Sequence, residues 1–441
     1  MKTTVAKFGG TSLADAGQFR RVRDIILADP SRRIIIVSAP GKRFEEDRKV
    51  TDLLLEVFSL AESGKDYLPV LDAVKARYEE IAAGIGIRID LEKEFEGIRG
   101  RLSACPEKDY VVSRGEYLSA RILSAYLGFT FVDPEWCVCF DENGKLSTDL
   151  SRRMIKASLL PLDNAVIAGF YGADSAGRIR TLPRGGSDVT GSLAAAAVEA
   201  DLYENWTDVT GLLAADPRIV EHPKTVKFVT YRELRTLSYM GASVLHTDAV
   251  LPVSDLNIPI NIRNTDLPEA EGTTIIRSLP EGEIKYPIIG VAGRKGMSVI
   301  QVEKLMASDG AGFTAVMLDI LKSMRLPFEH CLTGIDTVTL VIRSELLEPC
   351  RDQLFSRIRT ELAPDYLGLT EHLSMIAVIG EKGSNSSYAN IRALQSLSDA
   401  DIPVSTINQG AGKLNLLIGV PEEKYEDAVR CIYETIEKAG V

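Results

Sequence analysis

The sequence has little of several features that mark common protein classes. Its longest apolar runs, such as residues 34–37 and 193–198, are far shorter than the roughly 20 residues that a membrane span needs. The chain does not open with a basic stretch followed by an apolar one, so no signal peptide is expected. It has no dense tract of lysine and arginine, and its net charge is −11, which argues against a nucleic-acid binder. We therefore expect a cytoplasmic protein without membrane or nucleic-acid partners.

Cysteine and histidine are also scarce. The 6 cysteines are scattered, and Cys137 and Cys139 are too close together for a usual zinc-ligand pair. The 4 histidines lie away from that pair and outside the glycine-rich loops described below, so no Ser-His-Asp set is apparent. The pattern predicts buried thiols in a reducing cytoplasm rather than disulfides or a zinc site.

The content of the chain predicts an α/β protein. It has 441 residues, 45% of them apolar, which is enough for two or three domains with full cores. Over residues 1–277 strands alternate with helices, which argues for a mostly parallel sheet. Ile34–Ser38 reads as a continuous apolar strand covered on both faces. A largely helical stretch covers about 52–126, with one interruption at Gly84–Ile89.

Beyond a predicted linker at residues 278–290, the chain repeats itself. The offset is 76 residues, both from Pro327 to Pro403 and from Gly334 to Gly410. Each copy has a predicted helix before its proline, a strand after its glycine and a further helix. This pattern predicts two ferredoxin-like βαββαβ modules. Their predicted bounds are 291–370 and 371–441, with 285–302 as candidate shared strands.

The first twelve residues carry the strongest local motif. A short strand containing Lys7 runs into Gly9 and Gly10, then Thr11 and Ser12, and a helix is predicted to follow. Glycines let backbone amides approach an anion, and a helix N-terminus favours negative charge, so the motif suits a phosphate. The alternative is an ordinary strand–turn–helix with a surface lysine. The spacing is not that of a Walker A loop.

Three further segments could join this motif. Ser113–Glu116 places a carboxylate at a predicted loop-to-helix turn, although a helix-start glutamate is the alternative. Arg184–Asp188 packs a cation, two glycines and an acid before a helix. Thr207–Asp208 and Asp216–Arg218 follow a strand, where plain turn chemistry is the alternative. Together these cations and acids suit phosphoryl transfer, which needs charge-absorbing cations and acids that hold Mg²⁺.

Taken together, these motifs resemble those of the aspartate kinases, which are members of the amino-acid kinase superfamily. The segments that carry the resemblance are Val5–Ser12, Ser113–Glu116, Arg184–Asp188 and Thr207–Asp208 with Asp216–Arg218. The resemblance covers essentially the whole chain, because that family also ends in two tandem ACT modules. It implies the amino-acid kinase fold, a mostly parallel sheet sandwiched by helices, plus two ACT modules. It also implies transfer of the γ-phosphoryl of ATP to the side-chain carboxylate of L-aspartate. The product, 4-phospho-L-aspartate, opens the routes to lysine, threonine and methionine.

The resemblance further implies roles for individual residues. Lys7 would stabilise the transferring phosphoryl group, and Asp188 would orient Lys7 or the metal ion. Arg184 would hold the substrate α-carboxylate and Glu116 its ammonium group. The implied substrate-binding set is Ser38, Thr51, Glu116 and Arg184. The implied ATP-binding set is Lys7, Gly9, Gly10, Ser12, Thr207, Asp208, Leu213, Arg218 and Ser243.

Two of these positions depart from the family pattern. Leu213 stands where many members have a tyrosine, and Ser243 stands where a lysine is often found. Both changes fall on the nucleotide side. No residue is assigned as a direct protein ligand for Mg²⁺, and the ion is expected to arrive with ATP.

The ACT modules imply feedback control by an amino acid, with lysine favoured, and assembly into a homodimer or homotetramer. The implied effector-binding set is Ala307, Gly310, Gly312, Phe313, Pro327, Phe328, Glu329, Thr333 and Gly334. The alternative is that the modules only dimerise. With only two modules after residue 284, the chain resembles the single-activity form of the family.

Two other functions stay open on the sequence alone. One is another kinase of the superfamily, acting on glutamate, N-acetylglutamate or UMP, although the ACT tail and Ser113–Glu116 count against it. The other is an amino-acid sensor with an inactive kinase domain, against which the intact Lys7, Arg184 and Asp188 argue.

Overall fold

The structure, a computed structural model, groups the chain into two compact units. The first comprises Met1–Leu212, Thr225–Ser238 and Ser243–Glu281, and the second comprises Leu213–Lys224, Tyr239–Ala242 and Gly282–Val441. The residues that the structure describes are 2–183, 185–241, 245, 249–278, 289–306, 312–380, 386–409 and 415–438.

The first unit is built on a mostly parallel sheet, as predicted. Its strands are β1 (Thr4–Phe8), β2 (Arg32–Val37), β3 (Thr130–Val132), β4 (Ala165–Ala168), β5 (Tyr171–Ala173), β6 (Ile179–Thr181), β7 (Leu202–Thr207), β8 (Phe228–Thr230), β9 (Ile260–Asn264) and β10 (Thr273–Ile276). Eight of them form one sheet in the order β3-β4-β2-β1-β7-β9-β10-β8, and β5 and β6 form a separate hairpin. Among the described pairings of the large sheet, only β9 with β10 is antiparallel.

Helices cover both faces of this sheet. They are α1 (Ala16–Ala28), α2 (Val50–Glu62), α3 (Leu68–Gly84), α4 (Leu91–Ala104), α5 (Lys108–Leu127), α6 (Thr148–Leu159), α7 (Gly186–Ala197), α8 (Tyr231–Tyr239) and α9 (Leu251–Ser254). Ala6 and Phe8 of β1 belong to a buried cluster with α1 and α5. Because side chains alternate along a strand, Lys7 points to the opposite face, which α7 covers. Of the helices in the described ranges, none has the length and apolar character to cross a bilayer.

The predicted helical stretch consists of α2 to α5, and its predicted break falls between α3 and α4. One prediction here is wrong. Ser113–Glu116 lies in the interior of α5 and not at a loop-to-helix turn. The 20-residue helix contains no proline, and it ends only at Gly128, whose φ of 71° is a left-handed C-terminal cap. Gly115 is tolerated inside the helix because its missing side chain is used for close packing, as shown below.

The second unit carries one antiparallel sheet that both repeats share. Its strands are β11 (Gly290–Glu303), β12 (His330–Thr333), β13 (Thr337–Arg343), β14 (Tyr366–Ile379), β15 (Thr406–Gln409) and β16 (Asn415–Pro421), in the order β12-β13-β11-β14-β16-β15. Its helices are α10 (Phe313–Ser323), α11 (Ser344–Leu347), α12 (Arg351–Leu362), α13 (Ser386–Asp399) and α14 (Tyr425–Lys438). The two 14-residue strands β11 and β14 pair side by side at the centre. Strands β12 and β15 are equivalent at the 76-residue offset seen in the sequence.

Part of this second unit comes from an earlier stretch of the chain. Ala215 and Val220 pack into a buried cluster with Tyr425 and Val429 of α14. The carbonyl of Ala214 accepts a 2.7 Å hydrogen bond from the backbone N–H of residue 291. The segment Leu213–Lys224 is therefore built into the same unit as the repeats. The predicted domain bounds remain a prediction.

Candidate active site

The candidate site lies at the carboxyl edge of the parallel strands in the first unit, where such sheets bind ligands. Backbone hydrogen bonds tie the loops of this edge together. The N–H of Gly9 donates to Trp206 at the end of β7 (2.9 Å), and the N–H of Ser38 donates to Phe8 (3.2 Å). The N–H of Gly169, after β4, donates to Val37 (2.9 Å). The ends of β1, β2, β4 and β7 therefore form one connected rim.

Two glycines let the loop after β1 and the loop after β2 come into contact. A Cβ on Gly10 would lie 2.8 Å from the carbonyl oxygen of Ala39, and one on Gly41 would lie 2.7 Å from the carbonyl carbon of Gly10. The N–H of Gly41 donates a 2.7 Å hydrogen bond to Gly10. The backbone of Gly10 is ordinary, with φ of −63°, so space and not conformation requires glycine there. Around Gly9 a Cβ would meet only ordinary contacts.

The segment after the glycines differs from the prediction. A 3-10 turn, Thr11–Leu13, lies between the glycine pair and α1. Helix α1 starts only at Ala16, and the side chain of Asp15 caps it by accepting a 2.9 Å hydrogen bond from Gln18. The N-terminus of α1 is thus occupied by its own cap and does not follow the glycines directly. Ser12 is buried in this turn, and its hydroxyl lies 2.7 Å from that of Thr265.

Lys7 and Asp188 form a close ion pair. The Lys7 Nζ lies 2.5 Å from Asp188 Oδ1, and both side chains are largely buried. Asp188 stands in the first turn of α7, where the helix dipole favours a carboxylate. Gly185 caps that helix with a φ of 77°, a left-handed conformation that glycine adopts readily. The structure therefore brings two predicted residues that lie far apart in the sequence into direct contact.

The sequence analysis missed a third member of this cluster, Asn205. It sits opposite Lys7 in the β1–β7 register, and its side-chain amide contacts both partners of the ion pair. A sign of its role was present in the sequence. Asn205 is a polar residue in a central strand whose other middle positions are Tyr203, Glu204 and Trp206.

Glu116 is a buried carboxylate, and one of its two oxygens lacks a hydrogen bond among the described residues. Burial raises its pKa to about 8, although a backbone hydrogen bond from Ala39 and the charge of Arg114 act in the other direction. Its Oε2 has no hydrogen-bond partner among the described residues. A Cβ on Gly115 would lie 2.7 Å from the Cβ of Ala39, so glycine lets α5 approach this loop closely. An unpartnered buried carboxylate oxygen suits a positively charged ligand group.

The remaining substrate-side and nucleotide-side candidates are spread over both units. Ser38 follows β2 and Thr51 lies in the first turn of α2, and both are partly buried. Thr207 donates a 3.0 Å hydrogen bond to the carboxylate of Asp208, which is exposed at the end of β7.

Leu213 and Arg218 belong to the second unit. Leu213 is partly buried, whereas the guanidinium of Arg218 is largely exposed and pairs with Asp216 at 2.7 Å. Four predicted site residues lie outside the described residues: Arg184, Ser243, Ala307 and Gly310.

The described effector candidates surround one end of the first repeat. Gly312 caps α10 ahead of Phe313, and Pro327 and Phe328 are exposed just before β12. Thr333 ends β12 and Gly334 follows it, both exposed.

Glu329 already has partners in this region. Its carboxylate lies 3.0 Å from the Nε of Arg343 and accepts a hydrogen bond from the hydroxyl of Tyr239. Burial, with Glu329 alongside, raises the pKa of Tyr239 to about 12. Unlike Glu116, Glu329 would have to share its carboxylate with a ligand.

Comparison with known proteins identifies the class to which this fold and site belong. A family model for the amino acid kinase family matches residues 2–264, and an ACT domain model matches residues 376–436. The chain belongs to the amino acid kinase family. The predicted α/β kinase fold with an antiparallel ACT-type region is confirmed.

Full-length relatives narrow this class. Aspartokinase 3 of Bacillus subtilis (strain 168) is 33% identical, over 98% of this chain and 98% of the relative. The crystal structure of Clostridium acetobutylicum aspartate kinase has a TM-score of 0.88 at 40% identity and covers 99% of this chain and 100% of that chain. Escherichia coli aspartokinase III, at 25% identity, is similar in its complex with aspartate and ADP (TM-score 0.74, covering 98% and 99% of the two chains) and in that with lysine and aspartate (0.73, covering 99% and 100%). Within the amino acid kinase family, the chain is an aspartokinase.

Proposed function

We propose that this aspartokinase uses Mg-ATP to phosphorylate the side-chain carboxylate of L-aspartate and is inhibited by an amino acid, lysine being favoured. The observation that carries the substrate assignment is Glu116, a buried carboxylate with one oxygen that has no hydrogen-bond partner among the described residues. An α-amino acid supplies the ammonium group that such an oxygen lacks, whereas UMP and N-acetylglutamate have no free ammonium group to offer. Aspartate bound to Escherichia coli aspartokinase III supports the same substrate class.

The chemistry requires charge neutralisation more than proton transfer. The aspartate side chain is ionised at neutral pH, since its ordinary pKa is about 3.9, so no general base is needed. A carboxylate oxygen attacks the γ-phosphorus, and the bond to the β–γ bridging oxygen breaks and leaves its electron pair on ADP. Two anions must approach each other in this step. The ammonium of Lys7 sits at the strand edge to absorb that charge, and Asp188 holds it there.

We assign the nucleotide phosphates to the part of the rim where the loops after β1 and β2 meet. Gly10 is partly exposed, whereas Gly9 is buried beside the Lys7 side chain with its N–H bonded to Trp206. No side chain of the described residues intervenes where the loops touch at Gly10 and Gly41. Such a surface fits the phosphates of ATP, with Mg²⁺ carried by the nucleotide. We assign Ser12, Thr207, Asp208, Leu213, Arg218 and Ser243 to the same ligand. ADP in the Escherichia coli relative supports nucleotide use.

The substrate carboxylates are assigned to the remaining residues. Arg184 would hold the α-carboxylate in a two-pronged hydrogen bond, with Ser38 and Thr51 around the side chain. The effector set around Glu329 would take the inhibitory amino acid, and the lysine complex of the Escherichia coli relative supports lysine. We further propose a cytoplasmic homodimer or homotetramer assembled through the ACT modules.

The test is a coupled ADP-release assay with Mg-ATP and each of L-aspartate, L-glutamate, N-acetylglutamate and UMP. We expect turnover that depends on L-aspartate and falls on addition of lysine. The same assay is repeated with threonine alone and with lysine and threonine together. Turnover only with another acceptor would replace aspartate kinase by a different superfamily activity. Absence of turnover with all four acceptors would indicate an amino-acid sensor. Turnover that neither lysine nor threonine changes would indicate that the ACT modules serve only in assembly.

A further inference from the structure

Asn205 is a polar residue at a buried position in the middle of the large sheet. It is 3% exposed and lies in β7, a central strand of the large sheet. A buried amide without hydrogen bonds is costly, and a branched apolar residue would suit a central parallel strand better. Its surroundings must therefore use its polar atoms.

Both ends of the amide contact the Lys7–Asp188 pair. The Nδ2 of Asn205 donates a 3.1 Å hydrogen bond to Asp188 Oδ1, and its Oδ1 lies 3.5 Å from Lys7 Nζ. Asp188 Oδ1 is the same atom that pairs with the lysine at 2.5 Å. The three side chains thus close a triangle in which Asp188 Oδ1 receives two donors.

The triangle is anchored on three backbone elements. Lys7 and Asn205 are register partners on neighbouring parallel strands, and Asp188 is fixed to the first turn of α7. The hydroxyl of Tyr203, two residues before Asn205, donates a 3.1 Å hydrogen bond to the backbone carbonyl of Asp188. Strand β7 therefore holds Asp188 by both its backbone and its carboxylate.

We propose that Asn205 is a positioning residue for phosphoryl transfer, whose amide keeps Lys7 and Asp188 in place while the lysine ammonium turns toward the transferring phosphoryl group. This inference rests on the proposed role of Lys7. When the ammonium leaves Asp188, the buried carboxylate keeps the Asn205 hydrogen bond, and the ammonium keeps the Asn205 carbonyl as an acceptor. A neutral amide can donate to the acid and accept from the base at once, which neither a carboxylate nor an apolar side chain can do.

A second buried asparagine in the same sheet provides a matched control. Asn261 lies in β9, beside β7, and its Nδ2 donates to the backbone carbonyls of Glu271 (3.1 Å) and Thr273 (3.2 Å). A third hydrogen bond goes to the Thr274 hydroxyl (3.2 Å), and none of the three contacts Lys7 or Asp188. Loss of Asn261 should therefore affect folding stability alone.

The test compares Asn205→Leu and Asn261→Leu with the unmodified enzyme in steady-state assays with Mg-ATP and L-aspartate, alongside thermal unfolding. We expect both variants to unfold at lower temperature. Only Asn205→Leu should lose kcat, by about tenfold to hundredfold, with both KM values within about threefold. Combining Asn205→Leu with Asp188→Asn should give a smaller loss than the two single losses multiplied, because both act on one ion pair.

Two results would overturn the inference. One is a folded Asn205→Leu enzyme with kcat within about twofold of the unmodified enzyme, and the other is an equal kcat loss in Asn261→Leu. If Asn205→Leu does not fold, Asn205→Asp provides the test, since aspartate keeps the shape of the side chain but lacks the amide N–H donor. Unchanged kcat in that variant refutes the role. Absence of aspartate-dependent turnover in the unmodified enzyme would instead refute the proposed function, so the two failures are separable.

Discussion

Replacing Glu116 with glutamine is expected to remove a pH dependence from the use of aspartate. The carboxylate is buried in α5 and its Oε2 is unpartnered among the described residues. Its pKa, about 8, lies far above the ordinary value because burial penalises the charge. Only the ionised form attracts the substrate ammonium strongly, so the free enzyme should become competent for aspartate as pH rises toward 8.

The size of the effect follows from this pKa. About 1% of Glu116 is ionised at pH 6 and about half at pH 8. With ATP saturating, kcat/KM for aspartate should therefore rise about 50-fold between these values, since this parameter reports the enzyme before aspartate binds. Glutamine keeps the shape of the side chain but does not titrate. Glu116→Gln should show a low kcat/KM that changes little over the same range.

The raised pKa of Glu116 also predicts that the stability of the unmodified protein falls with rising pH relative to Glu116→Gln. Because the folded pKa is above the unfolded one, the folded state binds the proton more tightly. The contribution of Glu116 to the free energy of unfolding is present at pH below 4.5 and is lost as pH rises to 8, by about 1.4 kcal/mol per pH unit and about 5 kcal/mol in all. Glu116→Gln should escape this loss, so it should be more stable than the unmodified protein at pH 8 and similar at pH 4.5.

The assays are initial-rate ADP release between pH 6 and 8 and urea unfolding between pH 4.5 and 8, each on both proteins. The pH dependence of kcat/KM for ATP serves as the internal control, because Glu116 is not assigned to the nucleotide. A flat profile for aspartate in the unmodified enzyme would refute the ammonium assignment. Equal kcat/KM for aspartate in the two proteins at pH 8 would refute it as well.

Three further outcomes are expected. Lys7→Ala should lower kcat at least about 100-fold in the ADP-release assay, as the loss of one charge-stabilising donor does, and near-normal turnover would remove Lys7 from the mechanism. Glu329→Ala should weaken inhibition by lysine while kcat is retained; Glu345→Ala, which removes an exposed partner of the same arginine, is the control, and unchanged sensitivity in Glu329→Ala would place the effector elsewhere. Gly41→Ala should lower stability by about 1–3 kcal/mol in urea unfolding, because its Cβ would meet backbone at 2.7 Å. In Gly97→Ala the new Cβ in α4 would meet no atom of the described residues within 4 Å, so this variant should gain roughly 0.5–1 kcal/mol of stability. A loss of similar size in both glycine variants would contradict the packing argument.

Much of the fold was accessible from the sequence because its patterns are local or periodic. The apolar strand at Ile34–Ser38 and the break near Gly84–Ile89 are visible in single windows of sequence. The 76-residue repeat needs only comparison of the chain with itself. The sharing of one sheet by both repeats depends on the pairing of β11 with β14, and their residues lie far apart in the sequence.

Less of the site could be predicted from the sequence, because its decisive features arise from packing. The sequence analysis places the Ser113–Glu116 segment at a loop-to-helix turn, which the structure contradicts. In the structure Gly115 is a contact point with Ala39 inside α5, and the burial that follows raises the pKa of Glu116. Asn205 acquires its meaning only from the register that places it opposite Lys7. Sequence motifs identified Lys7 and Asp188, but strand pairing and helix packing bring them together as an ion pair.

The segment Leu213–Lys224 limits how this chain can be divided by protein engineering or by gene fusion. It begins six residues after the end of β7 in the sequence, yet Ala215 and Val220 complete the apolar core around α14. A chain ended near residue 277 would keep these two side chains but lose the helix that buries them. A chain begun there would have a gap in its own core. Any exchange of the C-terminal unit between relatives must therefore carry this twelve-residue insert along with it.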